Sequence, residues 1–246
     1  MEKYQIHDLY IPCTRECGSK SAPQEDFITR ETYPSPKNES ATEKFPFFVN
    51  LKLSRGPADA FLLPPKSAGV IFPADCRTVV LMNRATGEVA MAHASLSGLL
   101  EESKLCEDTS KHYPLGREVV EEESVVLEAL RIILQKGGTP KDVHAYSFLG
   151  ISPKGMKYPI DHPTFGDKNR RVLKYLRWLE SDAGRVGSCV VDDCNINLRG
   201  IIYAQLSLAG VTEFFQDEIH TDFDSHWHSF RRNRTKERNM VLVAHH

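Results

Sequence analysis

Residues 58–100 read ADAFLLPPKSAGVIFPADCRTVVLMNRATGEVAMAHASLSGLL. Within this stretch residues 78–82 (TVVLM) are β-branched and apolar, residues 83–87 (NRATG) carry turn chemistry, and residues 88–92 (EVAMA) return. That is a hairpin with a glycine-containing loop of about five residues. Ahead of it, residues 58–63 form an apolar run stopped by Pro64 and Pro65, and residues 69–72 (GVIF) read as a buried strand halted at Pro73. Cys76 stands at the start of the hairpin and His93 just past its return strand. Opposite ends of an antiparallel pair lie about 5 Å apart, so the hairpin can turn a thiol and an imidazole toward one another. Short connections flank both residues, and such connections display reactive groups. The same spacing also suits a small buried cysteine and a hydrogen-bonded core histidine.

Working outward, residues 47–53 (FFVNLKL) alternate like a strand. Residues 31–44 (ETYPSPKNESATEK) are polar and hold two prolines, which reads as loop or linker. Residues 1–44 are therefore expected to be a loosely structured N-terminal arm, and residues 45–246 one α+β domain. Downstream, Val119, Val126, Leu130, Ile133 and Leu134 mark a helix that ends at Gly137 and Gly138. Val172, Leu173, Leu176 and Leu179 mark a second, with Asp167 as its expected N-cap. Leu198, Ile201, Ile202 and Ala209 mark a third, closed by Gly210. Strands are expected at 143–149, 189–191 and 240–243.

The chain has 246 residues, 41% hydrophobic and 26% charged, with 31 Lys and Arg against 33 Asp and Glu. This is ordinary globular composition and excludes global disorder. A net charge of -2 gives no whole-chain case for a nucleic-acid or membrane-surface binder. No run approaches the roughly 18 apolar residues of a membrane span. The opening residues lack a basic and then apolar leader, so the expected location is cytoplasmic. Six cysteines (Cys13, Cys17, Cys76, Cys106, Cys189, Cys194) without an export signal read as reduced thiols. The pairs Cys13–Cys17 and Cys189–Cys194 lack C-x-x-C spacing.

The residue 58–100 stretch resembles the signature of the laccase-domain, or multicopper polyphenol oxidase, family (YfiH-like proteins). Their pattern is D-A-L-T…T-A-D-C-x-P, then a hairpin, then H-A-G-W-R-G. Residues 149–160 (LGISPKGMKYPI) are similar to the family's G-P-x-I…Y-E-V segment, and residues 227–239 (WHSFRRNRTKERN) to its closing F-F-S-Y-R-R…G-R segment. The resemblance covers about residues 45–243. It implies a single-domain α/β/β/α sandwich with mixed β-sheets, the CNF/YfiH-like arrangement. It further implies a zinc or copper ion bound by Cys76, His93 and an upstream histidine, acting on purine nucleosides by phosphorolysis or adenosine deamination. Such an ion lowers the pKa of a bound water toward 7. Arg231 and Arg232 are then the expected substrate or phosphate contacts, since guanidinium forks match oxyanions.

The sequence departs from the pattern. It holds no histidine between His7 and His93, and Leu96 and Ser97 replace the tryptophan and arginine of H-A-G-W-R-G. His220, at the place of a family cysteine, His226 and His228 are the candidates for a third ligand. Two further readings use what is present. Similar sandwiches include cysteine hydrolases and deamidases, in which Cys76 would be the nucleophile and His93 its base, with the orienting group unidentified. Asp75 is a poor choice, because a strand neighbour points to the opposite face. The other reading is a relative that has lost its site and serves as a binding module. The basic run 231–238 reads as a solvated loop rather than a nucleic-acid patch, for want of interleaved aromatics. His226 and His228 share one side only if their segment is extended.

Overall fold

In the computed structural model the described residues are 8–13, 50–57, 59–100, 105, 124–183, 187–234 and 236–246, the first two spans by their backbone alone. The expected hairpin is the centre of the molecule. Its strands are β5 (Arg77–Asn83) and β6 (Val89–Ala94), paired antiparallel with Thr78 opposite His93. The turn closes with the Gly87 amide donating to Asn83 O at 2.7 Å, and Gly87 takes the positive φ of 79° that this loop requires.

Around the hairpin lie β1 (Asp8–Cys13), β2 (Asn50–Pro57), β3 (Ala60–Leu63), β4 (Ser67–Ile71), β7 (Val143–Phe148), β10 (Glu213–Gln216) and β11 (Val241–His245). One sheet has the order β10-β7-β5-β6-β3 and a second β11-β4-β1-β2; both mix parallel and antiparallel pairs. Helices are α1 (Leu96–Leu99), α2 (Val125–Leu134), α3 (Gly166–Ala183), α4 (Leu198–Leu208) and α5 (Phe230–Asn233). The small ladder of β8 (Val190–Val191) and β9 (Asn195–Ile196) sits apart.

Strand alternation divides the core in two. Val79, Leu81, Ala90, Ala92 and Ala145 of the five-stranded sheet pack on the helices. Val80, Met91 and Phe61 of its other face pack against Ile71 and Val243 of the four-stranded sheet. The layers are thus helices, sheet and sheet, a mixed α+β sandwich as expected. No helix among the described residues is long and apolar enough to cross a membrane.

Three expectations change. Residues 8–13, assigned to a loose arm, form β1, paired with β2 and β4; a three-residue apolar core (Leu9–Ile11) is too short to stand out as a strand in sequence. The rest of the arm, through residue 49, lies outside the described residues, as does Val119. Asp167 is no N-cap: it sits in the first turn of α3 and accepts from Arg170 at 2.7 Å. Finally, the strand expected at 240–243 is β11 and runs on to His245, whose Nδ1 lies 2.7 Å from Leu63 O.

Candidate active site

The register of three strands builds the site. β3 pairs with β6 so that Ala60 faces Ala92, which brings Asp59, the residue before β3, beside His93. The His93 amide donates to Asp59 O at 2.6 Å, and its Nδ1 lies 3.3 Å from Asp59 Oδ1. On the other side β5 begins at Arg77, and the Cys76 thiol just before it stands close enough to the His93 side chain to favour its protonated form. The His93 and Asp59 side chains are 12% and 16% exposed, and Cys76 is half-buried. Cys76, His93 and Asp59 therefore stand side by side on the face of the sheet that looks toward the four-stranded layer, with His93 and Asp59 hydrogen-bonded. Burial alone would lower the proton affinity of His93. Its hydrogen bond to Asp59 and the neighbouring Cys76 thiol outweigh that and lift its pKa to about 9.

The segment carrying Cys76 is pinned from every side. Ile151 N donates to Asp75 O, Thr221 Oγ1 to Asp75 Oδ1 at 3.0 Å, and Arg231 N to Asp75 Oδ2 at 2.8 Å. The buried Asn239 donates from its backbone to Pro73 O and from Nδ2 to Ala74 O at 3.1 Å. Asp75 thus acts as a brace for the loop and leaves the imidazole to Asp59.

Asp59 is the functional residue that sequence reasoning missed. It stands just before β3, and only the pairing of β3 with β6 carries its carboxylate to the histidine.

The other candidates fall elsewhere. Arg231 is exposed, with Nη1 donating to Gly155 O at 3.3 Å, and it stands near the site through its backbone bond to Asp75. Arg232 is spent on the Asp224 and Trp227 carbonyls, at 2.8 and 2.6 Å, and is a brace rather than a substrate contact. The 226–228 segment is turned, not extended: His226 pairs with Asp224 at 2.8 Å and His228 with Glu237 at 3.0 Å. Cys76, Cys189 and Cys194 are free, and burial pushes the Cys189 thiol up to about 12. Cys17 and Cys106 lie outside the described residues, and so does the side chain of Cys13.

The implied zinc or copper ion needs three converging protein ligands. His220 is flanked by Arg77 and Arg199, whose charges oppose a cation. Among the described residues no three His, Cys, Asp or Glu side chains form a group that could hold a metal ion. Cys76, His93 and His220 are not brought together as a ligand set among the described residues.

With this geometry in hand, solved structures supply the comparison. YfiH of Bacillus licheniformis superposes with a TM-score of 0.52 at 15% identity, over 79% of this chain and 63% of that one. NMB0706 of Neisseria meningitidis, described under DUF152, gives 0.50 at 19% over 82% and 67%. YlmD of Geobacillus stearothermophilus gives 0.54 at 14% over 97% and 68%. The chain has the YfiH fold. It spans about two-thirds of the length of these proteins. No protein-family model and no curated protein sequence matches it. The YfiH-like layering agrees with the two stacked sheets, and the YfiH-like resemblance of residues 45–243 is matched at the level of fold.

Proposed function

We propose that the chain is a metal-independent cysteine hydrolase of the YfiH fold, with Cys76 as nucleophile, His93 as acid and base, and Asp59 as the group that orients the imidazole. One observation carries this reading: His93 holds the Asp59 carboxylate 3.3 Å from its Nδ1 and has the Cys76 thiol beside it. With Nδ1 on Asp59, Nε2 is the nitrogen left for sulfur.

At neutral pH His93 holds its proton, and an adjacent imidazolium favours the nucleophilic thiolate of a cysteine. The sulfur attacks the carbonyl carbon of a carboxamide or ester, forming a C–S bond and a tetrahedral adduct. As the adduct collapses, the C–N or C–O bond breaks and the imidazolium passes its proton to the departing amine or alcohol. His93, now neutral, takes a proton from water as water attacks the thioester. Collapse of that second adduct breaks the C–S bond, releases the carboxylic acid and restores the starting thiolate and imidazolium. Arg231 at the rim offers a cation to an acidic substrate group.

The test uses p-nitrophenyl acetate and the purified full chain. A burst of nitrophenol and an acetyl group found on Cys76 by mass spectrometry are expected, both lost in Cys76→Ser and His93→Ala. Acetylation elsewhere with Cys76 untouched would overturn the reading. So would metal-dependent phosphorolysis of inosine or deamination of adenosine, which would restore the activity implied by the YfiH-like sequence pattern.

A further inference from the structure

Arg77, the residue after the nucleophile, points the other way. It lies on the face of β5 that carries Val79 and Leu81 into the helical layer, and it is 1% exposed. A guanidinium presents five N–H donors. Here Nη1 is engaged, with Ser147 Oγ at 3.3 Å and Asp217 Oδ1 at 3.8 Å. A buried charge paired at such a distance is costly.

Its neighbours deepen the imbalance. Arg199, in the first turn of α4, reaches Asp217 O at 3.4 Å and Glu218 Oε1 only at 4.0 Å, and the Glu218 side chain is 80% exposed. Asp217 is already committed through Oδ2 to Leu149 N at 2.7 Å. Two guanidinium groups thus share essentially one half-buried carboxylate. The His220 Nδ1 is buried beside them with no partner among the described residues. The loop over Arg77 is strained to accommodate it. Leu149 takes φ of 51° and Gly150 φ of 128°, and a Cβ on Gly150 would stand 2.5 Å from Arg77 Cγ. Non-glycine residues in that region of φ are kept where the surroundings enforce them, and such strain clusters at ligand sites.

We propose that Arg77, Arg199 and His220 form a binding site for a small oxyanion of the phosphate or carboxylate class, on the face of β5 opposite Cys76. The anion supplies counter-charge to the two guanidinium groups and accepts from the orphaned Nδ1–H of a neutral His220. The positive end of α4 adds to its hold.

Thermal melts of the full chain, titrated with inorganic phosphate and separately with acetate against chloride at matched ionic strength, test this. A saturating rise in Tm of several degrees is expected with phosphate, acetate or both, as for any ligand that binds only the folded state. A response to phosphate alone identifies the phosphate class, and a response to acetate alone the carboxylate class. Arg199→Gln and His220→Phe should fold and weaken the anion at least about tenfold. Arg77→Met, where it folds, should lose the response and melt higher without ligand. Cys76→Ser should keep it in full, so that this site and the thiol reading stand or fall separately. A Tm that follows only ionic strength, or a response unchanged in Arg199→Gln, would overturn the proposal.

Discussion

Replacing the Asp59 carboxylate by an amide of the same shape isolates what it does for His93. Asp59→Asn keeps the volume, the backbone bond and an acceptor oxygen but removes the negative charge that holds the proton on the ring. Loss of the third member of such a row costs on the order of 10²- to 10⁴-fold in turnover, and nitrophenyl ester hydrolysis should fall by that much. Iodoacetamide labelling of Cys76 at pH 7 should slow as well, while labelling of the partly exposed Cys194 stays constant as an internal control. Labelling of both at the wild-type ratio would remove Asp59 from the site. The same row links stability to pH. His93 has a pKa of about 9 folded, against 6.5 for the free side chain. Its contribution is fully present below about pH 6.5 and is lost as pH rises through about 9. A shift of that size corresponds to about 3 kcal/mol. Tm should therefore drop by several degrees between pH 6.5 and 9.5, and this drop should largely vanish in His93→Gln. An alkaline slope as steep in His93→Gln as in the native chain would assign it to other groups.

At the scale of elements, the loop before β5 depends on a residue far along the chain. Asn239 donates to Ala74 O and His228 O and accepts from His228 N, so one side chain ties the Cys76 loop to the C-terminal segment. Asn239→Ala leaves buried carbonyls and an amide unpaired, at about 1–3 kcal/mol for each group not rescued by water. Urea midpoints should fall accordingly, and ester hydrolysis should fall beyond the loss of folded protein, because Cys76 is no longer held against His93. An activity per folded molecule equal to wild type would make Asn239 structural only. These long-range ties mark the limit of sequence reading. The β5–β6 hairpin was legible because Gly87 and the β-branched run at 78–82 act locally. The placement of His93 opposite Thr78, two residues after Cys76, followed from it. Asp59 was not identified, because its role depends on β3 pairing with β6, a register that no local signal sets. The burial of Arg77 was hidden for the opposite reason: an arginine opening a strand reads as surface until the far segment 217–220 closes over it. The 226–228 turn escaped because it is fixed by Asp224 and Glu237 rather than by its own residues.

The whole molecule rests on two sheets stacked closely enough to seal the layer beside the site, and Gly69 sets that distance. It lies in the middle of β4, paired with both β1 and β11, and every residue of β4 is buried. A Cβ at this position would stand 2.6 Å from Met91 Sδ and 2.8 Å from Phe61 Cε2, both side chains of the opposite sheet. Neither neighbour has room to retreat, since Met91 is 0% and Phe61 2% exposed. Gly69→Ala should therefore destabilise by about 1–3 kcal/mol through overpacking, although alanine in a strand otherwise gains over glycine. Met91→Ala alone should cost about 2–5 kcal/mol by leaving a cavity between the sheets. The double variant decides the cause, because the new methyl group would enter the space that the methionine sulfur vacates. If sheet spacing is the constraint, Gly69→Ala should be neutral or stabilising in the Met91→Ala background, a coupling of about 1–3 kcal/mol in a urea-melt cycle. Additive losses would instead mean that Gly69 is needed for its backbone freedom, and that the two sheets tolerate a wider separation than their packing displays.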